Sequence, residues 1–227
     1  MFATTQWSLV LAARNSTQAD AALAELCRRY RAPVLAFLRR SGQSAADAED
    51  LAQGFFVKLL EQRFDTSADP ARGRFRSFLL GALRHHLGDS LDARQAQRRG
   101  GGVVHADIAD GADSLADGGR TPEQTFDHEY ALVMVDRAMG RLRDEAIRAG
   151  YGERHALLAP LLLESREPGA LEQAAQALGL RANTLAVMLS RWRERLSQLI
   201  REELLETLAD PAQIDEEMRA LRAVLRG

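Results

Sequence analysis

Two segments of the chain concentrate arginine, whose planar guanidinium pairs well with phosphate. Residues 71–102 carry a net charge of +5 and residues 181–201 a net charge of +4, although the whole chain of 227 residues has a formal charge of −2. One such run is typical of a solvated helix face, and a GC-rich genome also enriches arginine. Two separate basic segments instead favour a protein that binds nucleic acid at two places.

Residues that could perform covalent chemistry do not form any familiar site. The chain has no glycine-rich phosphate loop, no GxSxG and no HExxH sequence. Its single cysteine, Cys27, excludes a disulfide framework and a cysteine-based zinc site. His85 and His86 are adjacent, so on a helix they point about 100° apart and cannot share a metal ion. We therefore predict that the protein is not an enzyme and holds no metal or cofactor.

The elements that must position the arginines are predicted to be helices. Alanine and leucine supply 72 residues, whereas valine, isoleucine and threonine supply 21, which favours an all-α fold. Apolar residues recur at helical spacing from Leu23 to Leu38, after the Ser44 cap, and after Asp69-Pro70. The longest apolar run has seven residues and the N-terminus has no signal pattern, so we expect a cytoplasmic protein without a membrane segment.

The chain is predicted to form two small helical domains joined by a linker. The first domain spans 1–99, and the Gly-, Ala- and Asp-rich stretch 100–120 is typical of a flexible linker. Thr121-Pro122-Glu123-Gln124 then provides an N-cap, a first-turn proline and a capping glutamine for the second domain, 121–201. Residues 202–227 form an acidic C-terminal helical extension with a break near Asp210-Pro211.

The second domain contains the pattern of a helix-turn-helix at residues 171–196. Gly179 stands where the chain must turn, because glycine adopts positive φ without a steric clash. Its second helix would present to DNA the residues Arg181, Asn183, Thr184, Ala186, Met188, Arg191 and Arg195. An ordinary helical hairpin would show the same pattern.

Residues 21–61, AALAELCRRYRAPVLAFLRRSGQSAADAEDLAQGFFVKLLE, resemble region 2 of bacterial sigma factors of the extracytoplasmic-function (ECF) type, in an extended ECF-like branch. The resemblance implies binding to core RNA polymerase, through the clamp coiled coil of its largest subunit. The positions implied in that contact are Asp47, Glu49, Asp50, Leu51, Phe55 and Phe56. Carboxylates there would pair with polymerase arginines around an apolar contact, although acids also stabilise a helix N-terminus.

The same resemblance assigns residues 73–102 to the part of region 2 that melts and reads the minus-10 promoter element. An arginine-lined helix with aromatic residues before it suits the capture of an unstacked base on a single strand. The DNA-binding residues implied here are Arg74, Arg76, Arg84, His85, Asp89, Arg94, Arg98 and Arg99. His85 stands where many relatives have asparagine, so the preferred base stays open.

The helix-turn-helix would then be region 4, which reads the minus-35 element. Arg181, Ala186 and Met188 replace a usual capping serine, a lysine and an arginine of this region. The residues left to hold phosphates or bases are Asn183, Thr184, Arg191 and Arg193, so backbone and shape contacts are expected to dominate. Ala186 and Met188 would meet thymine methyl groups or pack on another protein surface.

The leading hypothesis is thus a sigma factor that directs core RNA polymerase to promoter DNA. The alternative is a stand-alone helix-turn-helix transcriptional regulator, which would usually bind palindromic DNA as a dimer. The resemblance also implies an anti-sigma factor or a serine/threonine kinase as a further partner. The acidic extension would either act as an internal brake on the basic faces or lengthen the region 4 core.

Overall fold

The computed structural model describes residues 19–61, 74–100, 119–163 and 169–226, and these residues are almost entirely helical. The all-α prediction is confirmed, since the described residues contain no strand beyond one isolated antiparallel bridge between Arg74 and Leu208. The helices are α1 (Ala19–Arg40), α2 (Ala45–Glu61), α3 (Phe75–Gly100), α4 (Pro122–Arg148), α5 (Gly152–Leu163), α6 (Ala170–Ala177), α7 (Ala182–Leu205) and α8 (Ile214–Arg226). A short 3-10 helix, Pro211–Gln213, precedes α8.

The chain divides into two compact units. The first unit contains the described residues up to Val133 together with the C-terminal segment from Leu205 onward. The second unit is Met134–Leu204. This division differs from the predicted boundary at 121, because the first turns of α4 belong to the first unit. Of the predicted extension, residues 202–204 belong to the second unit, and the described residues from Leu205 onward belong to the first.

The core of the first unit is built around aromatic side chains. Tyr30 of α1 lies 5.1 Å from Phe75 of α3 and 5.7 Å from Tyr130 of α4, measured between ring centroids. α1 and α2 pack against each other beside this cluster. All three rings are buried, and burial raises the pKa of the Tyr130 hydroxyl.

The C-terminal segment closes the same core. The Phe75 amide N–H donates to the carbonyl oxygen of Thr207 at 3.0 Å, next to the Arg74–Leu208 bridge. Ile214, Met218 and Leu221 form the buried stripe of α8, since residues four and three apart share one helix face. Asp210 accepts a hydrogen bond from the Ala212 amide and so caps the 3-10 helix, at the predicted break.

The second unit is a small helical bundle with its own core. Leu158 of α5, Ala175 of α6, and Leu185 and Leu189 of α7 pack together with residues of α4. Gly179 has φ of +61°, the left-handed conformation expected for the turn between α6 and α7.

Two predicted features lie outside the described residues. These are the Asp69-Pro70 helix start and nearly all of the linker 100–120. Within the described residues, no helix is long and apolar enough to cross a membrane.

Candidate nucleic-acid and polymerase interfaces

The acidic turn that begins α2, Asp47 to Asp50, is positioned by a serine cap. The Asp47 amide donates to Ser44 Oγ at 3.1 Å, and the Ser44 hydroxyl donates back to the Asp47 carboxylate at 2.7 Å. Arg94 of α3 also donates to that carboxylate at 2.7 Å. These hydrogen bonds, Ser44 first and Arg94 second, lower the pKa of Asp47. Asp47 and Arg94 were predicted to contact different partners, but the structure pairs them with each other.

The other two acids of this turn differ in their surroundings. Glu49 forms ion pairs with Arg31 and Arg39 of α1, the second at 3.5 Å. Asp50 is exposed and forms no ion pair or hydrogen bond with any residue that the structure describes. Asp50 is therefore the carboxylate of this turn that is ready to pair with a partner.

The apolar residues of the predicted polymerase contact are buried in this fold. Leu51, Phe55 and Phe56 are 7%, 2% and 4% exposed, because they fill the core between α2 and its neighbours. Buried side chains of this kind offer no contact area to another protein. The exposed residues that share a helix face with Asp50 are instead Gln53 and Val57, three and seven positions later. Sequence analysis missed these two, although helical spacing from Asp50 could have identified them.

The predicted DNA-binding residues in the middle of α3 are mostly paired. Arg84 lies 2.7 Å from Glu123 at the start of α4, and this hydrogen-bonded pair lowers the pKa of Glu123. His85 is largely exposed, with its Nδ1 atom 3.2 Å from Asp89 one turn later. Arg98 and Arg99 fall in the last turn of α3, and their side chains lie outside the described part of the structure.

A cavity of about 530 Å³ opens between the second half of α2 and α3. Aromatic and polar groups share its wall, which is formed by Phe55, Lys58, Leu59, Ser77, Phe78, Gly81, Ala82, His85, His86 and Asp89. Such a mixture can stack on a planar ring and also form hydrogen bonds to its edge. The cavity therefore brings together His85 and Asp89 with wall residues that the sequence analysis had not assigned to a site.

His86 is a buried wall residue of this cavity. Its Nε2 atom lies 3.1 Å from the carbonyl oxygen of Leu51, and its ring packs on Phe55 with centroids 5.9 Å apart. Burial, followed by the nearby charge of Lys58, lowers the pKa of His86. The Nδ1 atom is buried without a hydrogen-bond partner among the described residues. His86 thus holds α2 to α3 as a neutral imidazole.

Arg74 and Arg76, at the start of α3, face carboxylates of their own unit. Arg74 lies 2.7 Å from Glu216 and 3.1 Å from Glu217. Arg76 lies 2.8 Å from Asp127 and 3.3 Å from Glu217. Neither guanidinium points to open solvent, in contrast to the prediction of direct phosphate contact.

In the second unit, α7 presents a polar face that was predicted from the sequence. Arg181, Asn183, Thr184 and Arg191 are exposed, and neither arginine forms an ion pair with a described residue. Val187 completes the same face and is also exposed, although the sequence analysis did not include it. Met188 packs partly against the core of the unit. Ala186 is half-buried.

Arg193 and Arg195, which were predicted to contact DNA, point inward in the structure. Arg193 donates to the carbonyl oxygen of Leu161 at 2.5 Å. Arg195 lies 2.8 Å from Glu145 and 3.2 Å from Glu202, and these bonds raise the pKa of Arg195. Both arginines therefore join α7 to the rest of the second unit.

Within the described residues, no group of three or more histidines, cysteines, aspartates or glutamates is arranged to hold a metal ion. The comparison with protein families supplies a positive finding. Residues 26–98, about a third of the chain, match the family Sigma-70 region 2. The match includes the acidic turn, the cavity and nearly all of α3. No curated protein and no solved structure is significantly similar to the chain.

Proposed function

We propose that the protein is a sigma factor of the ECF type, which binds core RNA polymerase and directs it to promoters. The observation that carries this proposal is the sigma-70 region 2 match at residues 26–98. Factors of this family are not enzymes, and the proposed role is one of binding and positioning. It would be exercised in the bacterial cytoplasm, where RNA polymerase acts.

Core polymerase would dock on the exposed face of α2 that contains Asp50, Gln53 and Val57. Asp50 is unpaired among the described residues, so it can pair with a partner arginine without first breaking an internal bond. Val57 adds apolar area on the same face. The clamp coiled coil of the largest subunit is the partner that the resemblance implies.

Promoter DNA would be contacted by both units. The cavity between α2 and α3 has the aromatic and polar lining needed to hold one unstacked base of the minus-10 element. The exposed face of α7, with Arg181, Asn183, Thr184 and Arg191, suits major-groove contact at the minus-35 element. Two exposed arginines fit the expectation that phosphate contacts contribute most of the affinity there.

The alternative, a stand-alone helix-turn-helix regulator, has the same α7 face in its favour. It leaves the region 2 match and the exposed Asp50 without a role. The resemblance also implies an anti-sigma factor or a serine/threonine kinase as a regulatory partner of the sigma factor.

The decisive experiment is capture of bacterial core RNA polymerase by the tagged protein in the absence of DNA. Asp50→Arg should reduce capture at least tenfold, because it replaces an attraction to polymerase arginines by repulsion. Asp92→Arg is the matched control, since Asp92 is an exposed acid of the same unit with no partner among the described residues. Absence of capture by the unmodified protein, or equal capture by Asp50→Arg and Asp92→Arg, would contradict the proposal.

A further inference from the structure

The C-terminal segment is attached to the first unit in two distinct ways. Its first part, around Thr207 and Leu208, is joined to the start of α3 by a backbone hydrogen bond and the antiparallel bridge. Thr207 is itself buried. Its second part, α8, is reached through the exposed turn at Asp210 and Pro211. The segment thus consists of an anchor, formed by Thr207 and Leu208, and a separate helix, α8, which are linked by a short turn.

The carboxylates of α8 form ion pairs with two arginines. Glu217 is only 4% exposed, and it lies 3.1 Å from Arg74 and 3.3 Å from Arg76. Glu216 reaches Arg74 at 2.7 Å from a position that is 61% exposed on its side chain. With Asp127 beside Arg76, three carboxylates surround two guanidinium groups. The local formal charge is −1, so this surface does not attract a phosphate.

We propose that α8 is an internal mask of the Arg74–Arg76 pair, and that the ligand of the unmasked pair is the phosphate backbone of nucleic acid. This inference rests on the proposed function for the identity of that ligand. A carboxylate and a phosphate oxygen use the same fork of guanidinium donors, so the two compete for one site. Removal of Glu216 and Glu217 from the arginines would change the local charge from −1 to +1.

The construction of α8 is compatible with release while the anchor stays in place. The helix has 13 residues, and its buried stripe consists of Ile214, Met218 and Leu221. A helix of this length is marginal by itself, so its docking depends on a small apolar contact and on the ion pairs. Nucleic acid releases condensed counterions when it binds arginine. The free energy gained in this way can displace α8 from the arginine pair. The Thr207 anchor keeps the aromatic core closed during this exchange.

The test measures binding of a fluorescein-labelled 20-base-pair DNA duplex of arbitrary sequence, without polymerase, over a range of salt concentrations. Glu216→Gln/Glu217→Gln should bind at least about fivefold more tightly than the unmodified protein. The slope of log affinity against log salt concentration should become steeper by up to about two, because each additional phosphate contact contributes about one unit. Adding Arg74→Ala and Arg76→Ala should remove the gain, because the unmasked donors are then absent.

The matched control is Asp92→Asn/Asp215→Asn, which removes the same number of negative charges from exposed positions of the first unit but keeps both Glu216 and Glu217. Equal gains in the two double variants, or no gain in Glu216→Gln/Glu217→Gln, would overturn the mask. If Glu217→Gln prevents folding, the single variants Glu216→Gln and Asp215→Asn make the same comparison, since both sites are exposed. A gain confined to Glu216→Gln then supports the mask, and equal affinities overturn it.

The outcome is independent of the polymerase experiment. If the mask hypothesis is wrong, the predicted capture of core polymerase and its dependence on Asp50 are unaffected. Failure of polymerase capture removes the proposed function, but the duplex measurement still decides whether α8 covers an anion site.

Discussion

The predicted DNA-binding arginines of the two units differ in whether they are paired. In the first unit, Arg74, Arg76, Arg84 and Arg94 are all paired with carboxylates of the same unit. In the second unit, Arg181 and Arg191 are exposed and unpaired among the described residues. The inward-pointing Arg193 and Arg195 hold that unit together.

The density of arginine in the sequence alone therefore does not define a nucleic-acid surface. A guanidinium that is already paired must break that pair before it binds phosphate, and the lost pair offsets part of the gain. Arg181 and Arg191 on the α7 face have no such pair to break among the described residues. The arginines at the start and in the middle of α3 are instead paired with Glu216, Glu217 and Glu123, and these pairs would have to break before the arginines could bind phosphate.

The largest effect is expected from an arginine cluster of the second unit that supports the fold. Glu203 is 2% exposed and lies 2.7 Å from Arg137 and 3.0 Å from Arg141. Glu203→Ala should lower the free energy of unfolding by about 3 kcal/mol, because it leaves two arginines beside an empty buried site. Urea denaturation measures this change. Glu194→Ala, at an exposed position of the same helix, should have little effect, and similar losses in both variants would refute a structural role for the cluster.

A second prediction concerns the paired arginines of α3. Arg84→Ala should reduce open promoter complexes about tenfold, since it removes a cation expected to contact the melted strand. Glu123→Ala breaks the same ion pair but keeps the arginine, so it should preserve or increase open complexes. Permanganate reactivity of promoter thymines reports both. If the two variants behave alike, the ion pair matters rather than the arginine, and the assignment of Arg84 to DNA fails.

A third prediction separates two arginines of α7 that lie one helical turn apart. Arg191→Ala should weaken duplex binding by about threefold to tenfold and reduce the salt slope by about one, with unchanged stability. Arg195→Ala removes the same charge but breaks the pairs with Glu145 and Glu202, so it should lower stability. Binding titrations and thermal denaturation of both variants test this contrast. Equal losses of duplex affinity in Arg191→Ala and Arg195→Ala would contradict the distinction between the exposed Arg191 and the inward-pointing Arg195.

The smallest effect is a dependence of stability on pH that involves one histidine in each unit. Burial lowers the pKa of His86 in the first unit and of His155 in the second. The unfolded chain then binds more protons, so this contribution to stability is present above pH 6.5 and is lost as the pH falls below it. Denaturation between pH 5 and 8 should show the loss, and His86→Gln should reduce it. A profile that is flat in this range would contradict the neutral, buried state of both rings.

The helix starts were predicted well because each depends on a few neighbouring residues. The Thr121 hydroxyl accepts from the Gln124 amide at 3.2 Å, and the Gln124 side chain accepts from the Thr121 amide at 2.8 Å, as in the predicted capping box. Ser44 caps α2 in the same local way. The positive φ of Gly179 also follows from the residue type and the turn.

The candidate surfaces were predicted less well, because the exposure of a side chain depends on what packs over it. Leu51, Phe55 and Phe56 are suitable residues for a polymerase contact, but the core of the first unit requires them. Arg195 has the spacing of a DNA contact, yet Glu145 of α4 lies on its side of α7. Neither result can be obtained from spacing along one helix.

The all-α class, the caps, the turn at Gly179 and the two basic segments could be predicted from the sequence, since these depend on local propensity and on charge along the chain. Which arginines are exposed and unpaired follows only from the tertiary structure. It brought Glu216 and Glu217 to Arg74 and Arg76 across more than 130 residues of chain. The physical reason is that ion pairing depends on distance in space, which the packing of α8 on the first unit determines.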